Sequence, residues 1–302
     1  MWKLFAICLV TAFLAACQGS PHRATEALEI KNIRVNDAEL AYVEEGRGET
    51  VIFVHGASGD WRTWDDLRPY IAEKYHYVAL SRRYHFSNEC CGDGKDYSVL
   101  QQAEDVAAFI RALNVGKVQL VGGSYGGRVI SYVALKYPEL LRSLVVSDPA
   151  PAIIAPDTAE GKAALADYQK DVAKSAAAAK AGDVRQSAIL LFNAVQDDPA
   201  AFENASPARQ ERWLANSKTL PLMFAGAAPP PVTCEELSSL KVPVLVMRGE
   251  LTRANFALGD EMLLSCLPKG TELAVVPNGR HMSYSVSPRA GADAILAFIS
   301  KH

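Results

Sequence analysis

Val118-Gln119-Leu120-Val121-Gly122-Gly123-Ser124-Tyr125-Gly126-Gly127 is the stretch on which the fold turns. Residues 118–121 form a short run that is apolar but for Gln119 and reads as a strand buried on both faces. Residues 125–137 carry a helical pattern that stops at Pro138. Between them lies Gly-x-Ser-x-Gly, as Gly122, Ser124 and Gly126. A strand that turns into a helix over so few residues needs a sharp bend, so small residues must flank the serine. The hydroxyl is then held beyond the sheet edge, beside helix N–H groups whose dipole favours an anion. Gly-x-Ser-x-Gly alone is a weak pattern; its place between strand and helix is what the chemistry requires.

Outward from this turn, strand and helix signals alternate. Strands are expected at 29–35, 40–44, Thr50–Val54, 77–81, 118–121 and 144–147. Helices are expected at 61–75, with Trp64, Leu67, Tyr70 and Ile71 on one stripe, at 100–113, and at 125–137. After Pro149 the rhythm changes. Residues 150–239 hold alanine-rich helical sequence at 159–181, 188–196 and 208–218 and no strand candidate. Alternation resumes with strands at 242–247 and Glu272–Val276 and helices at 256–266 and 290–301. Repeated strand–helix units imply a mostly parallel sheet with helices on both faces. The interruption is too long for a loop and reads as a helical cap over the sheet. The expected division is a core of 28–149 and 240–302 with a cap of 150–239.

The N-terminus reads as an address. Met1-Trp2-Lys3 supplies a positive start, and an apolar run of 13 residues follows from Leu4 to Ala16. A helix of that length rises about 20 Å, short of the roughly 30 Å hydrocarbon core of a bilayer. Residues 1–16 are therefore expected to be a signal peptide rather than a membrane span. Leu14-Ala15-Ala16-Cys17 resembles a bacterial lipobox, which implies cleavage before Cys17 and a lipid on that cysteine. Residues 17–27 would be the lipidated tether. Gln18 is not the aspartate that such signals use for inner-membrane retention, so the outer membrane is favoured over the inner.

Composition excludes other classes. The 302 residues are 49% hydrophobic and 22% charged, which is ordinary for a globular chain. Net charge is −3, and no basic block is interleaved with aromatics, so nucleic-acid binding is not expected. Four of the six cysteines, Cys90, Cys91, Cys234 and Cys266, lie beyond Cys17 and allow two bridges or none; the three full pairings stay open, a bridge between the adjacent Cys90 and Cys91 being the strained one.

A serine hydroxyl needs a base. His281, in Pro277-Asn278-Gly279-Arg280-His281, follows the last expected strand, where a loop can overhang the same sheet edge. His22, His76 and His302 are worse placed, and His85 is a residue that could line the cavity. An oxyanion stabiliser is also needed. Val54-His55-Gly56-Ala57 follows the third expected strand, so the Ala57 and Tyr125 N–H groups are the candidate donors, with His55 structural.

Together these residues resemble the α/β-hydrolase superfamily: His55-Gly56, Gly122-x-Ser124-x-Gly126, a cap after the sixth strand, and Gly279-x-His281, over about residues 28–302. The resemblance implies an eight-stranded, mostly parallel sheet, Ser124 as nucleophile and His281 as general base and acid. It also implies a carboxylate, and here the chain departs from the commonest pattern. Where an aspartate is usual after the seventh strand, the sequence reads Arg248-Gly249-Glu250-Leu251-Thr252. Some subfamilies draw the acid from the sixth strand, where Val145-Val146-Ser147-Asp148-Pro149 stands. Asp148 is favoured over Glu250, since either would serve if it reached Nδ1 of the imidazole.

A serine rather than an aspartate nucleophile points to acyl transfer. The expected activity is hydrolysis of a small carboxylic ester, with no metal or organic cofactor. The alternatives are a carbon–carbon or amide hydrolase with the same triad, and a non-catalytic binding lipoprotein on this fold. Leu190, Leu191, Phe192, Leu220, Met223 and Phe224 of the cap are candidates for an apolar pocket, most of them more simply explained as packing. The partners implied are a small ester and, through Cys17, a membrane; the oligomeric state stays open.

Overall fold

The computed structural model describes residues 28–149 and 153–302. The expected signal peptide, tether and lipidated Cys17 lie outside the described residues.

Eight strands make one sheet: β1 (Lys31–Val35), β2 (Ala38–Glu45), β3 (Thr50–Val54), β4 (His76–Leu80), β5 (Val118–Gly123), β6 (Leu141–Ser147), β7 (Val244–Gly249) and β8 (Glu272–Val276). Their spatial order is β1-β2-β4-β3-β5-β6-β7-β8. β1 and β2 pair antiparallel with their neighbours, and β4 through β8 run parallel. This is the eight-stranded, mostly parallel α/β-hydrolase architecture expected. β3 and β5 are buried at every position, whereas β8, at an edge, alternates.

Period-two alternation splits the core into two layers. Ile52, Leu120, Leu144 and Val246 face a layer built with Val106, Phe109, Ile110 and Val133 from the helices Val99–Leu113 and Tyr125–Lys136. Phe53, Val121, Val145 and Met247 face the other, with Trp64, Leu67, Ile295 and Phe298. A strand covered on both faces must be apolar on both, which is why β3 reads Thr-Val-Ile-Phe-Val.

The single helix expected at 61–75 is not formed. A 3-10 turn, Trp61–Trp64, is capped by Asp60, and a four-residue helix, Arg68–Ile71, follows. Pro69 has no N–H to give and sits in the first turn of the second piece, where none is required.

Between β6 and β7 lie the helices Ala159–Lys180, Val184–Gln196, Ala201–Asn204, Pro207–Ala215, Leu220–Ala225 and Cys234–Ser238. The first two pack side by side, with Ser175 Oγ donating to the Ser187 carbonyl at 2.8 Å. Arg253, after β7, fastens them to the sheet: it donates to Asp167 at 2.7 Å, Asp171 at 2.9 Å and the Ala194 carbonyl at 2.8 Å. Cys234 is bridged to Cys266, and Cys90 to Cys91.

Candidate active site

β5 delivers Ser124 into a strained bend, with φ 52° and ψ −122°, at the N-cap of the helix Tyr125–Lys136. A non-glycine residue in that region costs about 1–3 kcal/mol and must be held by its surroundings. Two contacts hold it. The Ser124 N–H donates to the Ser147 carbonyl of β6 at 2.8 Å, and Gly126 brings the helix against the end of β3. A β-carbon on Gly126 would lie 2.3 Å from the Val54 oxygen and 2.4 Å from that of His55, so only glycine fits.

The loop after β3 presses on the same bend. A β-carbon on Gly56 would stand 3.3 Å from the Ser124 β-carbon. His55 is fully buried: its Nδ1 donates to the Gly56 carbonyl at 2.9 Å and its Nε2 accepts the Arg82 N–H at 2.9 Å. These bonds hold the turn, and burial lowers the pKa of His55 well below the ordinary value.

Arg82, only 1% exposed, does most of the holding. Its guanidinium donates to the carbonyls of His55 at 3.1 Å, Gly56 at 2.7 Å and Ala57 at 3.4 Å, and to Gln102. In a trans peptide the carbonyl and the N–H point opposite ways. With the Gly56 carbonyl tied to Arg82, the Ala57 N–H is turned away from it, and Ala57 and Ser124 line a common cavity. Sequence reasoning missed Arg82, because Arg82-Arg83 in a loop reads as solvated charge; the signal available was its position directly after a strand with both faces buried.

Asp148 ends β6 in a left-handed conformation, φ 44°, and is buried. Its Oδ1 accepts from the Thr252 hydroxyl at 2.9 Å and its Oδ2 from Ser147 at 3.4 Å, with the Met282 and Gly249 backbone N–H groups also facing the carboxylate. Burial outweighs these bonds and pushes its pKa up to about 7. Glu250 is exposed and turned elsewhere, its Oε2 accepting the Asn278 N–H at 2.9 Å.

His281 is buried, stacked on Phe256 with ring centroids 4.2 Å apart, and its Nδ1 has no hydrogen-bond partner. Its carbonyl accepts from Gln196 Nε2 at 2.9 Å, which anchors the loop to the helix Val184–Gln196. Burial, then the charge of Arg209, pulls its pKa to about 3.

Ser124, Asp148, His281, Ala57 and Tyr125 line one chamber of about 400 Å³, closed over by Leu165, Tyr168, Leu191, Trp213, Met223 and Phe256. The sequence-nominated residues are thus brought together, except Glu250. The hydrogen bonds that would join serine to imidazole and imidazole to carboxylate are not formed in this arrangement. Of the other candidates, Leu191 and Met223 line the chamber, while Phe192 and Leu220 pack the core. His85 does not line it: it is buried, with ring nitrogens on the Gly59 carbonyl and the Tyr97 hydroxyl.

A protein-family model described as the alpha/beta hydrolase fold matches residues 49–288. Pyrrolizixenacetamide deacetylase of Xenorhabdus hominickii is 32% identical over 118 residues, 39% of this chain, and the chain spans only 44% of that protein's length. A pimeloyl-[acyl-carrier protein] methyl ester esterase of Aeromonas hydrophila is 27% identical over 84% of this chain and 96% of its own length. Among solved structures, a carboxylesterase of Bacillus subtilis superposes with a TM-score of 0.75 at 19% identity, over 92% of this chain and 93% of that one; this likeness is one of fold.

Proposed function

We propose that this chain, which belongs to the α/β-hydrolase fold family, cleaves small carboxylic esters through an acyl-enzyme on Ser124. The observation that carries the reading is the convergence on one chamber of a strained serine, a buried histidine, a buried aspartate and a loop N–H beside the serine. A binding protein has no need of that set.

In the reaction, Ser124 Oγ attacks the ester carbonyl and His281 takes its proton. The Ala57 and Tyr125 N–H groups receive the oxyanion, a contribution worth about 3–4 kcal/mol per donor in such sites. The tetrahedral intermediate collapses, the C–O bond to the alcohol breaks, and His281 returns the proton to the leaving oxygen. Water then repeats the cycle on the acyl-enzyme, releasing the acid. For this the imidazole must leave Phe256 and turn Nδ1 to Asp148. The Met282 N–H, next in the chain, already faces that carboxylate. Asp148 then fixes the tautomer and stabilises the imidazolium. Such contacts are often loose in free enzymes and tighten with substrate.

A fluorophosphonate probe tests the reading: Ser124 is expected to be labelled in folded protein and p-nitrophenyl acetate or butyrate hydrolysed. Unlabelled Ser124 would overturn it. A second reading, amide hydrolysis on the same triad, is favoured by the named deacetylase relative. Turnover of an anilide faster than of the matched ester would select it.

We also infer from Leu14-Ala15-Ala16-Cys17 that the mature chain is held by lipid to the bacterial envelope, at the outer membrane. No helix among the described residues is long and apolar enough to cross a membrane. Labelled palmitate should enter the protein, and Cys17→Ser should abolish its incorporation; label retained in that variant would remove the anchor.

A further inference from the structure

We propose that Arg128 binds a carboxylate on the substrate, so that the preferred esters are acidic ones, typified by half-esters of short dicarboxylic acids. This rests on Ser124 being the reacting group.

Arg128 stands in the first turn of the helix that Ser124 caps, and it lines the catalytic chamber. Of the residues lining that chamber it is the only arginine or lysine. Its neighbours there are mostly apolar, and its Nε is buried without a hydrogen-bond partner. Burial lowers its pKa, and the groups opposing that fall are two tyrosines, Tyr132, which also hydrogen-bonds it, and Tyr125, not a carboxylate.

Among the described residues, most other guanidinium groups withdrawn from water are treated differently, Arg209 being the exception. Arg83 is paired with Asp105, Asp37 and Asp96, and Arg253 with Asp167, Asp171 and Asp197. Arg82 is saturated by carbonyls, and Arg209 lies over the Phe192 ring outside the chamber. A cation withdrawn from water without a counter-charge is costly. Its position makes it costlier, since the first turn of a helix is the positive end of the dipole. A fold that carries such a local conflict at its reaction centre is ready to receive an anion there.

The shared chamber and the chain spacing bound the size of that anion. Ser124 and Arg128 are four residues apart, about one helical turn, or roughly 6 Å along the axis. With both residues lining one chamber, a short diacid can place one carboxylate on the guanidinium and its ester carbonyl at Ser124. A planar carboxylate suits a guanidinium bidentately. Succinate and glutarate half-esters have that spacing, and a chamber of about 400 Å³ holds them.

The test compares kcat/KM for monoethyl glutarate and diethyl glutarate in wild type, Arg128→Lys and Arg128→Met. Wild type is expected to prefer the half-ester at least tenfold. Arg128→Met should reduce that preference at least thirtyfold, with Arg128→Lys between. A wild-type preference for the diester, or a ratio unchanged in Arg128→Met, would overturn the proposal. A second measurement on wild type guards against a variant that fails to fold: glutarate should slow fluorophosphonate labelling of Ser124, and diethyl glutarate at equal concentration should slow it less. Labelling that is normal but indifferent to glutarate would sink the Arg128 proposal alone. No labelling at all would sink it together with the reading of Ser124.

Discussion

The hydroxyl of Thr252, on the turn after β7, donates a 2.9 Å hydrogen bond to Oδ1 of Asp148 at the end of β6. In the stretch Arg248–Thr252, the resemblance to the superfamily implies the commonest acid three residues after Gly249, at residue 252. Here that position holds a threonine whose hydroxyl supports the carboxylate following the neighbouring strand. β6 and β7 are parallel neighbours, with Ser147 in register with Met247, so both turns open at the same sheet edge.

From this relationship, Asp148→Asn should lower kcat about 10³–10⁴-fold, the scale of losing the group that sets the imidazole tautomer. Glu250→Gln should change it no more than about twofold, because Glu250 is exposed and bonded only to the Asn278 N–H. Thr252→Val removes one hydrogen bond to a charged acceptor, worth about 1.5–3 kcal/mol, and should cost roughly tenfold or more. Steady-state kinetics on p-nitrophenyl butyrate decide all three. A large loss in Glu250→Gln with Asp148→Asn active would transfer the role.

The pH profile should carry the same signature. Catalysis needs His281 neutral and Asp148 ionised. Burial holds His281 down at about 3 and Asp148 up at about 7. The acid limb of kcat/KM should therefore lie near pH 7 and report the carboxylate, and in Asp148→Asn the residual rate should stay level well below it. Stability runs the other way. A raised carboxylate pKa contributes stability that is complete below the ordinary 3.8 and lost as pH rises through about 7. Asp148→Asn should thus melt at least about 2 °C above wild type at pH 8 and lose that advantage at pH 4. A variant no more stable at pH 8 would show that the buried charge carries no penalty.

The sheet was legible in the sequence because a doubly covered strand leaves a run of β-branched and apolar residues with little else to be. Gly122-x-Ser124-x-Gly126 was legible because sterics leave the bend no other composition. The piece at 61–75 was not: its apolar spacing is helical, and Pro69 splits the segment while the stripe still packs, with Trp64 stacked on Tyr284 at 4.4 Å. The acid was half legible, since two carboxylates end neighbouring strands and only tertiary contacts separate them. Arg82 and Arg128 were not legible as site residues. A buried arginine and a solvated one have the same letter, and what distinguishes them is the partner each finds across the fold.

Gly126 offers a test of how tightly the bend is built. In Gly126→Ala the new methyl group would meet the Val54 and His55 carbonyl oxygens at 2.3 Å and 2.4 Å. Both are backbone atoms at the end of a buried strand, so neither can rotate aside. The expected cost is about 1–3 kcal/mol or more, read as a lower urea midpoint, with a fall in kcat as the helix is pushed off the oxyanion loop. An alanine variant of wild-type stability and activity would mean that the bend is looser than its contacts indicate.

Arg82 touches no substrate, yet its removal should be read in the transition state. Arg82→Met releases the carbonyls of His55, Gly56 and Ala57, and the Ala57 N–H loses the constraint that aims it. The Gly56 carbonyl keeps its bond from His55 Nδ1, but a buried carbonyl left unpaired costs about 1–3 kcal/mol, so the variant should also be less stable. A merely structural defect would lower the amount of active protein and leave its kinetic constants alone. Misaiming one oxyanion donor instead lowers kcat, on the order of 10²-fold, while KM moves little, because the donor matters most once charge has developed on the oxygen. Active-site titration with the fluorophosphonate corrects for misfolded protein. Affinity for a boronic acid, which forms a tetrahedral adduct on Ser124, should fall by about the same factor as kcat, and Arg82→Lys should recover part of both. If boronate affinity held while kcat fell, the role of Arg82 would lie elsewhere than in aiming the Ala57 N–H.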